Sequence, residues 1–218
     1  GDKLVGSDKI GHLFAEGHMY FKRNDLQGRG LEAGLSYGEK TERGFYGLKT
    51  TGVYSYGDLT ANYNGMRFWQ KVTGTGESEE SLRENPPYFS CVDGKWTQTK
   101  KFDWSEYIDS AWDESINCSK FRTENIKYKV DSQVKKLEEQ GHPGALVCPR
   151  RPDECYRLVS KYGELSTRLI NPLCREAASK YAVDMNLPKL PETYIDSEKA
   201  AIEETVVDHD ATVECKEQ

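Results

Sequence analysis

Apolar residues recur at helical spacing in several stretches of this chain, whereas the stretch 43–57 alternates instead. The contrast limits the fold strongly, because a period near 3.6 and a period of two cannot share one element. Ile10, Leu13, Phe14, Gly17, Tyr20 and Phe21 follow the i, i+3, i+4, i+7 pattern behind Ser7-Asp8, a pair able to cap a helix. The run Arg23-Asn-Asp-Leu-Gln-Gly28 breaks it. A second helix is predicted over 31–41. Gly34 and Gly38 each cost it roughly 1 kcal/mol, but their small size would let helices pack closely. In 43–57, Val53, Ser55 and Gly57 alternate with Tyr54 and Tyr56, which predicts a short hairpin or an extended loop. Asp58 then reads as the cap of a third helix carrying Leu59, Asn62, Tyr63, Met66 and Trp69 on one side.

Further on, 73–87 is a charged loop with two prolines and the best internal boundary. A helix opening at Asp103 would carry Trp104, Tyr107, Ile108, Ala111 and Trp112, with Trp104 and Trp112 in the core and Trp96 exposed in a hairpin-like context. Helices are also predicted over 132–140 and over 152–184, the latter broken at Pro172. The fold class is mainly α with a small β-hairpin element (α+β). Residues 1–190 form a single domain with a helical C-terminal part, and 191–218 form an acidic tail.

Six cysteines, none in a Cys-x-x-Cys pair, favour disulfides in an oxidising compartment, so the expected location is periplasmic or secreted. Short loops suggest the pairs Cys91–Cys118 and Cys148–Cys155, leaving Cys174–Cys215. No run is apolar enough for a membrane span. Gly1-Asp-Lys-Leu lacks the apolar segment of a signal peptide, so an exported chain would begin past its signal. A net charge of −6 with scattered Lys and Arg argues against nucleic acid as a partner. It favours neutral or cationic ligands. The chain has neither a phosphate-binding Gly-rich loop nor a Gly-x-Ser-x-Gly elbow.

Glu39 and Glu42 stand one helical turn apart at a helix C-terminus, where each disfavours ionisation of the other and the helix dipole acts the same way. Phe45 and Tyr46 would supply apolar neighbours, and Asp58 could orient a water or stabilise positive charge. Two carboxyls with separated roles suit cleavage of a glycosidic bond. The simpler alternative is that both glutamates are solvated and Asp58 only caps its helix.

The phrase Glu42-Arg-Gly-Phe-Tyr-Gly, then Thr50-Thr51-Gly52, then Asp58-Leu-Thr-Ala-Asn62-Tyr-Asn-Gly65-Met-Arg-Phe68-Trp69 resembles the lysozyme-like and lytic-transglycosylase superfamily. It is also similar to lysozymes of predatory bacteria that act on deacetylated peptidoglycan. The resemblance spans 31–70. It implies a lysozyme-like fold, peptidoglycan or a related amino-sugar polymer as substrate, and no cofactor or metal. It also implies Glu42 as general acid, Thr50, Thr51, Tyr54 and Tyr56 along the hairpin face of a groove, and Asn62 bracing the next helix. The chain departs from the pattern at Arg43, where serine is usual, and at Gly47-Leu48-Lys49, which leaves Glu39 beside Glu42 as a candidate acid. The acidic net charge suggests deacetylated, cationic glycan. A non-catalytic envelope protein, binding glycan or a protein through the Tyr-rich hairpin, is the alternative.

Asp8-Lys-Ile-Gly-His12 together with Asp58-Leu-Thr-Ala-Asn62-x-x-Gly65 also resembles signatures of the teicoplanin-resistance-associated (VanZ-like) membrane family. That resemblance marks Asp8 and His12 as partners for the carboxylates. Asp8, His12, Glu39 and Asp58 could form a metal site, although a core-bonded His12 with Asp8 as a cap is the simpler expectation.

Overall fold

A computed structural model describes residues 4–75, 86–141 and 148–195. The described part is mainly helical, with two small two-stranded antiparallel sheets. The first helix, α1, runs without a break through Asp8–Gly11, His12–Glu16, Gly17–Phe21 and Lys22–Leu26, alternating α with wider π turns. Its stripe of Leu13, Gly17, Tyr20 and Phe21 is buried, as the periodicity predicts, while Phe14 is half exposed. Helix α2, Leu31–Arg43, packs on it through the glycines. An added Cβ at Gly38 would sit 1.7 Å from the Tyr20 hydroxyl oxygen.

The segment after α2 corrects the hairpin expectation. Residues 44–52 fold back on themselves: the amides of Thr50, Thr51 and Gly52 all donate to the Gly47 carbonyl at 3.1, 2.9 and 3.3 Å. The Thr50 hydroxyl donates to Phe45 O at 2.7 Å and the Thr51 hydroxyl to Gly47 O at 3.0 Å. Such local side-chain and backbone bonds compete directly with strand pairing. Only Val53–Tyr54 (β1) remains extended, and it pairs with the distant Lys120–Phe121 (β4) rather than with a neighbour.

Helix α3, Tyr56–Thr73, starts earlier than predicted. Ser55, not Asp58, is its N-cap, with the Asp58 amide donating to Ser55 Oγ at 3.1 Å. This leaves the Asp58 carboxylate free for other partners. Helix α3 crosses α1 at a pair of glycines. An added Cβ at Gly65 would lie 2.0 Å from the Leu13 carbonyl oxygen, and one at Gly17 would lie 2.5 Å from Gly65 Cα.

Strands β2 (Phe89–Val92) and β3 (Lys95–Gln98) form the one hairpin among the described residues. Both turn residues, Asp93 and Gly94, have positive φ, as a two-residue turn requires, and Trp96 is exposed as expected. The predicted helix from Asp103 is instead two 3-10 turns, Trp104–Glu106 and Ser110–Trp112. Asp103 accepts from Ser105 N and Asp109 from Ala111 N, both at 2.9 Å, so each aspartate starts a fresh turn and the register is lost. Trp112 is buried, but Trp104 is half exposed, contrary to expectation.

Helix α4, Glu124–Glu139, starts earlier than predicted because Thr123 caps it. Helices α5 (Pro152–Tyr162), α6 (Ser166–Leu169) and α7 (Pro172–Asp184) break at Gly163 as well as at Pro172. Helix α8, Glu192–Ile195, lies within the segment read as tail, and its Tyr194 and Ile195 carbonyls accept from Arg175. The rest of that tail lies outside the described residues, as do 76–85 of the expected internal boundary.

The disulfides correct all three expected pairs: Cys118 joins Cys148, and Cys155 joins Cys174, stapling α5 to α7. Cys91 is disulfide-bonded as well, and Cys215 lies outside the described residues. Loop length was a poor guide because pairing follows the packing of helices, which local spacing does not encode.

The glycine crossing is directly testable. Gly65→Ala forces a methyl group against the backbone of α1, and we expect it to cost about 1–3 kcal/mol or more in urea unfolding. Alanine at Gly11, where nothing lies within 4 Å of an added Cβ, serves as the control. Equal stability of the two variants would contradict the crossing.

Candidate functional site

The crossing of α1 and α3 brings Asp8, Lys9 and His12 against Asp58 and Asn62. Lys9 is the centre, with only 2 % of its side chain exposed. Its ammonium lies 2.6 Å from Asp58 Oδ1, 2.8 Å from Glu114 Oε1 and 2.9 Å from Asp8 Oδ2. Burial works against a charged lysine, but Glu114 and Asp58 more than offset it and hold its pKa above the ordinary lysine value. Burial also works against the Asp8 carboxylate, and the hydrogen bond from Lys9 holds its pKa below the usual range nonetheless.

One turn along α1, His12 faces two residues of α3. Its Nδ1 lies 2.9 Å from Asn62 Oδ1 and its Nε2 lies 3.3 Å from Asp58 Oδ2. A carbonyl oxygen only accepts, so Nδ1 carries the proton of that bond. Ser55 ties the rest together: its hydroxyl donates to Glu114 Oε1 at 2.6 Å and its amide donates to Glu42 Oε2 at 3.2 Å.

Glu42 closes α2 and is 2 % exposed. Burial pushes its pKa from 4.5 to about 7, and the nearby Asp58 charge acts in the same direction, against a smaller opposing effect of the Ser55 amide. The cluster therefore holds a carboxyl that is half protonated near neutrality close to a carboxylate engaged by two cationic or protonatable groups. It opens to solvent at Asp8 and Glu114, whose side chains are 57 % and 44 % exposed.

The sequence-predicted residues divide sharply. Glu42, Asp58 and Asn62 converge here, with Asp8 and His12. Glu39 does not: it pairs with Arg168 at 2.6 Å, as Glu32 also does, so it is no partner of Glu42. Its effect on Glu42 is replaced by burial and Asp58. Phe45 and Tyr46 are not the apolar neighbours of Glu42 either, since Phe45 is 80 % exposed and Tyr46 also projects outward. Thr50 and Thr51 bond within their own turn rather than lining a hairpin. Tyr54 and Tyr56 are core residues, packed edge to face at 5.1 Å with Lys120 over both rings, and they offer no Tyr-rich binding surface. Asp8 is not a cap, because no side-chain bond closes the start of α1.

Three members of the site were missed. Lys9 lies in the Asp-Lys-x-x-His phrase and was legible there. Ser55 sits three residues before Asp58, the capping spacing, and could have been read. Glu114 carries no signal, because it arrives from a loop far along the chain.

A separate cavity of about 260 Å³ is almost wholly apolar, with Phe14, Phe68, Phe89, Phe102, Trp104 and Lys100 among its walls. Among the described residues no helix is long and apolar enough to cross a membrane. The chain matches no family model, and no curated protein or solved structure is significantly similar to it.

Two consequences follow for stability. Glu42 binds its proton more tightly folded than unfolded, so folding stability falls as pH rises from 4.5 through about 7. Glu42→Gln removes that loss and keeps an acceptor for Ser55. We expect it to match the parent at pH 4.5 and to exceed it by roughly 3 kcal/mol at pH 8. Parallel stability profiles in denaturant titrations would contradict the assignment. Lys9→Met leaves Asp58 and Glu114 without their shared cation and should cost about 3–5 kcal/mol by the same measurement.

Proposed function

We propose that this chain is an exported, lysozyme-like glycoside hydrolase that cuts β-1,4 links in cell-wall glycan, with Glu42 as proton donor and Asp58 as the neighbouring carboxylate. The observation that carries this reading is the burial of the Glu42 carboxyl, at the end of α2, against a cluster built on Asp58. Glycosidic cleavage needs an acid that keeps its proton near neutral pH and a second carboxylate that stays charged. Desolvation supplies the first. Asp58, in contact with the Lys9 ammonium and the His12 ring, is the residue we assign as the second. Glu39, held by Arg168, has no part in it.

The substrate class follows from charge. A net charge of −6 and the carboxylates of Asp8, Asp58 and Glu114 around the opening disfavour anionic polymers and favour glucosamine units carrying free amines. Deacetylated peptidoglycan meets that description. The disulfides fit an oxidising compartment, and a periplasmic or secreted location puts the protein beside this substrate.

Release of soluble muropeptides from purified sacculi tests the reading. Glu42→Gln should lower the rate by about 10²–10⁴-fold with folding intact, as loss of a general acid does, while Glu39→Gln should leave the mechanism unchanged. Deacetylated walls should be digested faster than acetylated ones. Undiminished release by Glu42→Gln, or no release by the parent from either wall, would refute the assignment.

A further inference from the structure

We propose that Asp8, His12 and Asp58 bind a divalent transition-metal ion of the Zn²⁺ or Mn²⁺ type. One ligand atom from each of the three lies within 4.8 Å of the other two. The set is mixed, one imidazole with two carboxylates, which suits a borderline cation better than Mg²⁺ or Cu⁺. Three protein ligands leave positions open for water, and the half-exposed Asp8 gives the ion its way in.

Two features beyond the carboxylates point to a cation. The first is the orientation of His12. Asn62, itself buried, accepts from Nδ1, which leaves Nε2 facing Asp58 Oδ2 at 3.3 Å. That separation is the one two ligands of a single tetrahedral centre have. A ring fixed through its far nitrogen is also how metal-binding histidines are usually held.

The second feature is what Lys9 leaves undone. Its ammonium contacts Asp8 Oδ2, Asp58 Oδ1 and Glu114 Oε1, one oxygen of each. Asp58 Oδ2 faces His12 instead. Three carboxylates thus surround one ammonium, and a divalent ion on the His12 side would balance the charge. The competing arrangement is a proton on Nε2, making an imidazolium–carboxylate pair with no metal.

This inference concerns the same cluster as the hydrolase reading but does not depend on turnover. Bound there, the ion would place a Lewis acid close to Glu42. The test uses the full chain, stripped with chelator and dialysed, then titrated with Zn²⁺ or Mn²⁺ alone by calorimetry, with Mn²⁺ also followed by electron paramagnetic resonance. We expect one saturable site per chain. His12→Gln and Asp58→Asn should abolish it. Asn62→Ala should weaken it by about 10–100-fold through loss of the orienting bond, and Glu39→Gln should leave it unchanged. Circular dichroism identifies any variant that fails to fold; if Asp58→Asn does, His12→Gln decides. No saturable binding of either ion, or binding unaffected by His12→Gln, would overturn the proposal while leaving muropeptide release to be judged separately.

Discussion

Two glycines in contact, Gly17 on α1 and Gly65 on α3, set the distance at which these helices cross, and the cluster exists because that distance is short. A methyl group on Gly65 would meet the Leu13 carbonyl, a backbone atom that cannot rotate away. With the backbones so near, the face carrying Lys9 and His12 lies against the face carrying Asp58 and Asn62. Lys9 then reaches Asp58, and His12 reaches Asn62, directly across the interface. The same crossing buries Leu13 and Ala61 on one side and Tyr20 and Leu59 on the other, so packing and polar geometry reinforce each other.

Electrostatics explains why the cluster tolerates its burial. An isolated ammonium with 2 % exposure would be strongly unfavourable, and so would Asp58 beside Glu42. Three carboxylates around Lys9 compensate for its lost hydration. Glu42, which has no cation of its own within hydrogen-bonding distance in the described contacts, responds by holding its proton. Ser55 coordinates the arrangement through three separate atoms. Its hydroxyl oxygen caps α3 and so releases the Asp58 carboxylate, its hydroxyl proton fixes Glu114, and its amide fixes Glu42.

The helices around the site were legible because each has a self-contained signal. Leu13, Gly17, Tyr20 and Phe21 mark the buried stripe of α1, and α2 and α3 follow the same rule. Asp58 and Asn62, four apart on α3, could be placed on one face from sequence alone. The failures share one cause, which is competition from bonds the period does not see. Thr50 and Thr51 satisfy their own turn instead of a hairpin, and β1 finds its partner at Lys120–Phe121. Asp103 and Asp109 each restart a turn, so a perfect helical register at Trp104, Ile108 and Trp112 does not become a helix. Glu39 and Glu42 are neighbours on the helix surface, yet Arg168 draws one away and Ser55 takes the other.

By itself the sequence determined that the chain is mainly helical, where α1, α2 and α3 run, and that acids, a histidine and small residues recur at spacings able to meet. Those properties reside in local period, caps and residue size, which a few turns of chain suffice to express. Only the tertiary structure decided which carboxyl keeps its proton, which cysteines join, and that Glu114 completes the cation's shell. Desolvation, disulfide geometry and ion pairing all depend on atoms brought together from distant parts of the chain, and no window of residues carries those distances.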